Sequence, residues 1–151
     1  MRDAVGGTFM IYVFLIFLAV YITFVAVAFN YARAFRVKNK VIDIIEQSEG
    51  IEDYNNISNE SVLGQINTYL NEVSYRVNGI NENTKHCTGY DHVDTERGYC
   101  ISRESSVSDI DGGTASYYKV VTFIRLEIPF MDLGFTIPVK GETSRIERIN
   151  R

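Results

Sequence analysis

The most regular feature of the chain is an uninterrupted apolar stretch near its N-terminus. No charged residue occurs between Asp3 and Arg33, and residues 9–29 are apolar apart from the tyrosine hydroxyls and Thr23. About 20 apolar residues in a helix cross roughly 30 Å of hydrocarbon. A buried core helix is the alternative, but a core helix usually keeps a polar face over such a length. The pattern therefore predicts a transmembrane helix over residues 8–30.

A cleaved secretory signal is a second alternative for this stretch. Such signals have an apolar region of about 7–15 residues and a small-residue cleavage site after it. Here the apolar region is longer, and the bulky and basic residues from Tyr31 to Arg36 follow it. We therefore expect the anchor to be retained.

Helical spacing continues beyond the apolar stretch. No glycine or proline occurs between Thr8 and Glu49, and Gly50 supplies a C-cap residue. The pattern predicts one helix of about 40 residues, with an amphipathic second half over residues 31–50. The apolar positions expected to face the globular domain are Ala34, Val37, Val41 and Ile45.

The remaining chain predicts a second helix and a hairpin. Apolar residues repeat at helical spacing over 62–73, and Ser58 or Asn59 is the expected N-cap. A polar stretch to about Ser108 predicts loops. Residues 116–128 alternate between apolar and polar side chains, which predicts a half-buried strand, and residues 135–146 return antiparallel to it, with Pro138 indicating an edge.

These elements define an α+β fold in which the long N-terminal helix packs on a small antiparallel sheet with a second helix. The predicted division is a leader-like segment 1–7, a transmembrane helix 8–30, its amphipathic extension 31–50 and a small α+β domain 51–151. The strand positions expected to pack against the amphipathic half are Val120, Ile124 and Ile128.

Charge divides unevenly along the chain. Residues 31–40 contain four basic residues and no acidic one, whereas 18 acidic and 10 basic residues follow from Val41 onward. The acidic domain argues against nucleic acid as a partner. The basic residues fall where anionic headgroups lie, so membrane lipid is an expected partner, with a solvated helix face as the alternative. The four basic residues are Arg33, Arg36, Lys38 and Lys40.

Two signals disagree about the side of the membrane that carries the domain. Basic residues after the span favour the cytoplasm. The only two cysteines, Cys87 and Cys100, lie in a polar segment at a spacing that closes a short loop. Disulfides persist in oxidising compartments, and a loop of this size gains roughly 3 kcal/mol from bridging. We predict a disulfide and an extracytoplasmic domain, with two free cytosolic thiols as the alternative.

A leader ending in Gly6 and Gly7, a helix that is apolar and then amphipathic, and a C-terminal antiparallel sheet resemble type IV pilin-like proteins. More narrowly, the chain resembles the TadE-like minor pseudopilins of tight-adherence pili, most closely over residues 30–46 (NYARAFRVKNKVIDIIE) and 126–141 (LEIPFMDLGFTIPVKG). The resemblance implies leader cleavage after Gly7, with a flexible end as the alternative. Such proteins usually carry a glutamate near the start of the apolar segment, but here the fifth mature residue would be Tyr12 and no glutamate precedes Glu46.

Candidate chemistry is sparse. The chain contains no common nucleophile, phosphate-binding or metalloprotease motif. One cluster of possible zinc ligands has a spacing that fits no structural zinc pattern, and a disulfide would consume its thiols. We therefore expect no enzyme activity, no metal, no cofactor and no small-molecule substrate. The cluster consists of His86, Cys87, Asp91, His92, Asp94 and Cys100.

Two functions follow from this organisation. In the first, the protein is a structural subunit, similar to a minor pilin or pseudopilin, of a pilus-like or secretion assembly, and it contacts other pilin-like subunits through the apolar helix. In the second, it is a lone single-pass module whose acidic domain binds a ligand or partner.

Overall fold

The computed structural model describes residues 2–55, 57–80, 84–107, 114–127 and 134–148. Two helices and five strands lie in these ranges, and the α+β class is as predicted. The helices are α1 (Arg2–Gln47) and α2 (Val62–Glu72). The strands are β1 (His92–Asp94), β2 (Tyr99–Val107), β3 (Thr114–Glu127), β4 (Gly134–Glu142) and β5 (Ile146–Arg148).

Helix α1 is continuous over 46 residues, which confirms the prediction of one unbroken helix. It begins at Arg2, so Gly6 and Gly7 lie within the helix. At the other end, the Gly50 N–H donates to the Ile45 carbonyl at 2.9 Å. Gly50 takes part in the cap as expected, but Glu49, with φ of 54°, precedes it in the left-handed conformation.

The predicted N-cap of the second helix, Ser58 or Asn59, was wrong by two or three residues. Helix α2 follows Ser61, whose side chain accepts a hydrogen bond from the Gly64 N–H at 3.1 Å. Ser58 instead uses its carbonyl to accept from the Ser61 N–H at 2.9 Å, which forms a turn before the helix. That turn passes so close that a Cβ at Gly64 would lie 1.9 Å from the Ser58 carbonyl oxygen, so the approach requires glycine.

The sheet is antiparallel, with the strand order β1-β2-β3-β4 and with β5 paired to β3. The prediction of loops up to about Ser108 was wrong, because β1 and β2 lie in that stretch. Tyr99 and Ile101 of β2 are buried on the helix side of the sheet, and the five polar residues 102–106 follow them. An alternation this short does not stand out in a polar sequence.

The predicted C-terminal hairpin is confirmed as β3 paired with β4, although Ile128 and the connecting turn lie outside the described residues. The second strand is interrupted rather than continuous to Ile146. Lys119 pairs with Glu142 and Ser116 pairs with Ile146, so the returning chain carries one extra residue, which is a β-bulge. The N–H of Ser144 in this bulge donates to the Glu46 carboxylate of α1 at 2.6 Å.

Proline 138 lies on the edge strand β4, as the sequence predicts. Its partner across the ladder is Phe123, whose backbone N–H and carbonyl both bind the Tyr75 hydroxyl on the side away from β4. The Phe123–Pro138 pair is therefore a non-hydrogen-bonded pair, and Pro138 directs its donor-free nitrogen outward. The open edge lacks an N–H at this position, which opposes pairing with a further strand.

One face of the sheet packs against the C-terminal half of α1 and against α2. Val120 and Ile124 of β3 are buried on this face, as predicted. The Thr122 hydroxyl donates to the Ala34 carbonyl of α1 at 3.3 Å, and the Tyr99 hydroxyl donates to Asn67 of α2 at 3.0 Å. The α1 residues expected to face the domain are all buried, at 1% exposure or less: Ala34, Val37, Val41 and Ile45.

The opposite face of β3 is also covered, which differs from the predicted half-buried strand. Val121 and Phe123 are each 1% exposed. Val121 pairs across the ladder with Cys100, and the disulfide to Cys87 brings the turn at residues 84–90 to this face. The alternation along β3 hides this second apolar layer, because Lys119 and Arg125 share the same face near its ends.

Candidate functional site: the outer surface of helix α1

The first half of α1 contains a long apolar stretch that is not buried against the rest of the protein. We call residues 9–29 the membrane segment, after the span predicted from the sequence. Its large exposed apolar side chains have exposed fractions between 44% and 73%. Among the described residues, α1 is the one helix long and apolar enough to cross a membrane. The polar side chain of Thr23 donates to the Ala19 carbonyl at 2.9 Å, which satisfies its hydroxyl without an outside partner.

Six of the nine aromatic side chains between Phe9 and Phe35 follow one line along the helix surface. They recur at alternating spacings of four and three residues, with Ala28 in the one non-aromatic place, and this spacing keeps them on one helix face. Their exposed fractions lie between 43% and 71%. We call this set the aromatic stripe: Phe14, Phe17, Tyr21, Phe24, Tyr31 and Phe35.

The aromatic stripe continues onto the half of α1 that carries the domain. Tyr31 is 54% exposed and Phe35 is 43% exposed, whereas Ala34 and Val37 are buried against the sheet. Because adjacent helix residues are about 100° apart, the stripe and the domain occupy different faces of α1. The Lys38 ammonium lies 4.2 Å from the centre of the Phe35 ring, at the edge of the stripe.

Three of the four basic residues after the membrane segment have partners within the protein. An Arg33 guanidinium nitrogen donates to the Ser74 carbonyl at 2.8 Å and to the Val73 carbonyl, at the C-terminal end of α2. Lys40 pairs with Asp43 at 2.7 Å, and their hydrogen bond raises the Lys40 pKa and lowers the Asp43 pKa.

Lys38 is the third of these residues. It is 9% exposed and packs beside Gly141, where an added Cβ would lie 2.7 Å from the Lys38 Cδ atom. Arg36 is exposed on the surface. Arg33 and Lys38 thus join the domain to α1, a role that their sequence cluster does not reveal.

The two cysteines meet as a disulfide between Cys87 and Cys100. Their Cα atoms are 5.8 Å apart, which is within the usual range for a disulfide. Both residues are buried, at 1% and 0% exposure, under the face of the sheet away from α1. The bond therefore fastens the turn at residues 84–90 to the sheet.

Three further residues of the possible zinc cluster have separate partners. His92 lies between the rings of Tyr54 and Tyr99, with centroid distances of 6.4 and 5.7 Å, and burial lowers its pKa. Asp94 accepts from the backbone N–H and the guanidinium of Arg97. Asp91 accepts from the Arg103 backbone N–H at 2.6 Å. Across the described ranges, no group of three or more His, Cys, Asp or Glu side chains is placed to hold a metal.

The aromatic stripe is the feature that sequence inspection missed, although its signal is present in the sequence. The spacing from Phe14 to Phe35 is legible, but other apolar residues fill every other face of the membrane segment and mask it. Only the structure separates the exposed Tyr31 and Phe35 from the buried Ala34 between them.

No family model matches the chain, and no curated protein or solved structure matches it. The resemblance to pilin-like proteins therefore stays a prediction.

Proposed function

We propose that this protein is a membrane-anchored structural subunit, similar to a minor pilin or pseudopilin, of a pilus-like or secretion assembly. The membrane segment crosses the bilayer, and copies of the chain pack laterally through the aromatic stripe. The observation that carries the proposal is the continuation of this stripe beyond the apolar span to the exposed Tyr31 and Phe35.

The position of Phe35 supports packing between helices over contact with lipid. Phe35 is six residues beyond Phe29, a rise of about 9 Å along the helix. The headgroup region adds only roughly 5–8 Å on each side of the hydrocarbon. An aromatic belt that serves lipid contact ends within that region. A helix partner explains why an apolar face persists at the level where the domain begins.

The disulfide supports an extracytoplasmic domain. Disulfides form and persist outside the reducing cytosol, and Cys87 and Cys100 are joined in the fold. The positive-inside rule weighs short loops most strongly, and long domains are translocated largely regardless of charge. The basic residues after the membrane segment do not by themselves oppose this orientation.

Leader removal is a separate part of the proposal. Cleavage after Gly7 would leave Thr8 as the first residue and would retain the whole aromatic stripe. The intact mass of protein purified from its own membrane measures this directly. A mass that corresponds to a chain beginning at Thr8 supports cleavage, and a mass that includes residues 1–7 contradicts it.

Site-specific disulfide crosslinking tests the lateral packing. The described residues contain no free cysteine, so a single introduced cysteine supplies the reactive thiol. We would compare Tyr31→Cys and Phe35→Cys with Arg36→Cys, an exposed position adjacent to Phe35 but about 100° around the helix. The full chain is oxidised in membranes, and dimers of this chain are quantified on non-reducing gels.

The proposal predicts at least about fivefold more dimer from the two stripe variants than from Arg36→Cys, since only the stripe would face its counterpart in a second copy. Equal dimer yields from all three variants would indicate random collision. An absence of dimer at all three would favour the lone membrane-anchored module instead.

A further inference from the structure

A small polar cleft lies at the base of the domain, where α1 leaves the membrane segment. Its volume is about 390 Å³, and four residues line it. Two of them are arginines and two are asparagines, and the lining contains no carboxylate among the described residues. They are Asn30, Arg76, Asn78 and Arg125.

The fold brings these residues together from three separate segments. Strand β2 begins at Tyr99, so the last part of β3 lacks that neighbour. The chain at residues 75–80 takes its place, because the Tyr75 hydroxyl binds both the N–H and the carbonyl of Phe123 at 2.9 and 2.6 Å. The Val77 N–H donates to the Arg97 carbonyl at 3.3 Å, which fixes the same segment to the β1–β2 turn.

Helix α1 supplies the third side of the cleft. Asn30 is the first residue after the membrane segment, and Arg33, one turn further along, is bonded to the Ser74 carbonyl. The contact between Arg33 and Ser74, neither of which lines the cleft, thus fixes the position of the cleft along α1. That position is the boundary between hydrocarbon and headgroups, since residues 9–29 span about 30 Å.

The two arginines are arranged to receive an anion. The Arg125 guanidinium donates to the Asn78 carbonyl at 3.1 Å, which orients it at the cleft. Arg76 is exposed and forms no hydrogen bond or ion pair with the described residues. Two guanidinium groups and two amides match the oxygens of a phosphate group, which arginine binds in bidentate geometry.

The charge here is opposite to that of the domain as a whole. The chain from Val41 onward contains 18 acidic and 10 basic residues, yet Arg76 and Arg125 converge on the side nearest the membrane. We propose that this cleft binds the headgroup phosphate of an anionic membrane lipid. The proposal rests on the membrane anchoring in the proposed function and is independent of lateral packing.

The test uses the purified full chain in mild detergent, titrated with phosphatidylglycerol and followed by native mass spectrometry. Phosphatidylcholine is the zwitterionic comparison, and inorganic phosphate is the soluble competitor. The variants are Arg76→Gln, which breaks no described protein contact, and the double variant with Arg125→Gln. Arg145→Gln is the matched control, because Arg145 is exposed next to Ser144, which is bonded to Glu46 at the far end of α1.

We expect about fivefold weaker phosphatidylglycerol binding for Arg76→Gln and about thirtyfold weaker binding for the double variant, with Arg145→Gln unchanged. Phosphatidylcholine binding should not change. An equal loss in Arg145→Gln, or no loss in the cleft variants, would overturn the site. Displacement of the lipid by millimolar inorganic phosphate would overturn its assignment to a lipid headgroup.

Incorporation of every variant into lipid nanodiscs separates this result from a failure of anchoring. A wild-type chain that does not enter nanodiscs contradicts the anchor itself. A chain that enters them and shows no preference for phosphatidylglycerol contradicts the cleft alone.

Discussion

Between residues 9 and 29, helix α1 exposes apolar side chains all round, whereas between Ala34 and Ile45 the same helix buries one face against the sheet. Both halves are helical without interruption. In the C-terminal half, which we call the lower half, most polar and charged side chains lie on the remaining surface, whereas Lys38 is buried. In the N-terminal half, which we call the upper half, residues 9–29 have no polar face, and the domain does not bury them.

The two halves of α1 differ in what buries their apolar side chains. Full burial of a large aliphatic side chain contributes about 1.5–3 kcal/mol relative to exposure. The lower half obtains this contribution within the folded chain. The upper half can obtain this contribution only from lipid or from other helices. In water its apolar side chains would stay exposed, although the helix itself is continuous. The same element is therefore a core helix at one end and an exposed apolar surface at the other.

The largest expected effect comes from placing one charge in each half. Val41 is 0% exposed, and Val41→Asp should lower the free energy of unfolding of the domain by about 3–5 kcal/mol, because an unpaired carboxylate would be buried. Val20 is 63% exposed, and Val20→Asp should leave domain stability within about 0.5 kcal/mol while reducing membrane insertion.

Urea unfolding of the full chain in detergent, followed by the near-ultraviolet circular dichroism of its tyrosines, measures the first quantity. Resistance of the chain to alkaline extraction from membranes measures the second. Equal destabilisation of the domain by both variants would contradict the division of α1 into two halves.

Removal of the disulfide should affect the stability of the domain and not the membrane segment. Replacing both Cys87 and Cys100 by serine should lower the free energy of unfolding by roughly 3 kcal/mol, because the reduced unfolded chain gains loop entropy. Membrane insertion should not change, since neither cysteine touches α1. The same urea and extraction measurements apply, and serine replacement without loss of stability would show that the bond adds nothing to the fold.

A pH effect is expected in the domain and not in the membrane segment. Burial lowers the pKa of His92, with Asp94 opposing this shift. Below the unfolded-state pKa of about 6.5 the unfolded chain binds the proton more readily, so stability falls as the pH is lowered through that value. The slope cannot exceed about 1.4 kcal/mol per pH unit for one proton.

Urea unfolding between pH 5 and 8 measures this slope, roughly over the window that the histidine controls. His92→Phe keeps an aromatic ring between Tyr54 and Tyr99 and should flatten the profile. His86→Phe alters the other histidine, and the slope should persist in it. Unchanged slopes in both variants would assign the pH dependence to other groups.

The smallest expected effect lies at the end of the lower half. Glu49 has φ of 54°, a left-handed conformation that costs a non-glycine residue about 1–2 kcal/mol. Glu49→Gly removes this cost but adds unfolded-chain entropy, for a net gain of about 0.5 kcal/mol. Gln47→Gly, in the last helical residue, should instead destabilise by up to about 1 kcal/mol. A loss of stability in Glu49→Gly would contradict the cap geometry.

Local patterns predicted the long helix and the terminal hairpin. The spacing of Val37, Val41 and Ile45 fixes the face that packs on the domain, and the alternation around Val120 fixes a strand. These signals are repeated over many residues, so single exceptions do not obscure them.

The parts that sequence inspection missed depend on contacts between distant residues. Strand β2 is polar over most of its length, and its pairing with β3 decides its structure. The bulge near Ser144 follows from a single extra residue whose N–H finds Glu46, 98 residues away. Arg76 and Arg125 line one cleft where the Tyr75 hydroxyl binds the Phe123 backbone in place of a strand neighbour. No local pattern encodes such pairings.

The most direct test of the central claim is the thiol accessibility of two introduced cysteines in intact cells that express the full chain. Native Cys87 and Cys100 are bonded and buried, so they do not compete for the reagent. Thr95→Cys reports on an exposed turn of the domain, and Val20→Cys reports on the membrane segment. With a membrane-impermeant maleimide, we predict labelling of Thr95→Cys in intact cells and no labelling of Val20→Cys even after permeabilisation. Labelling of Thr95→Cys only after permeabilisation would place the domain in the cytoplasm, and ready labelling of Val20→Cys would contradict the membrane span itself.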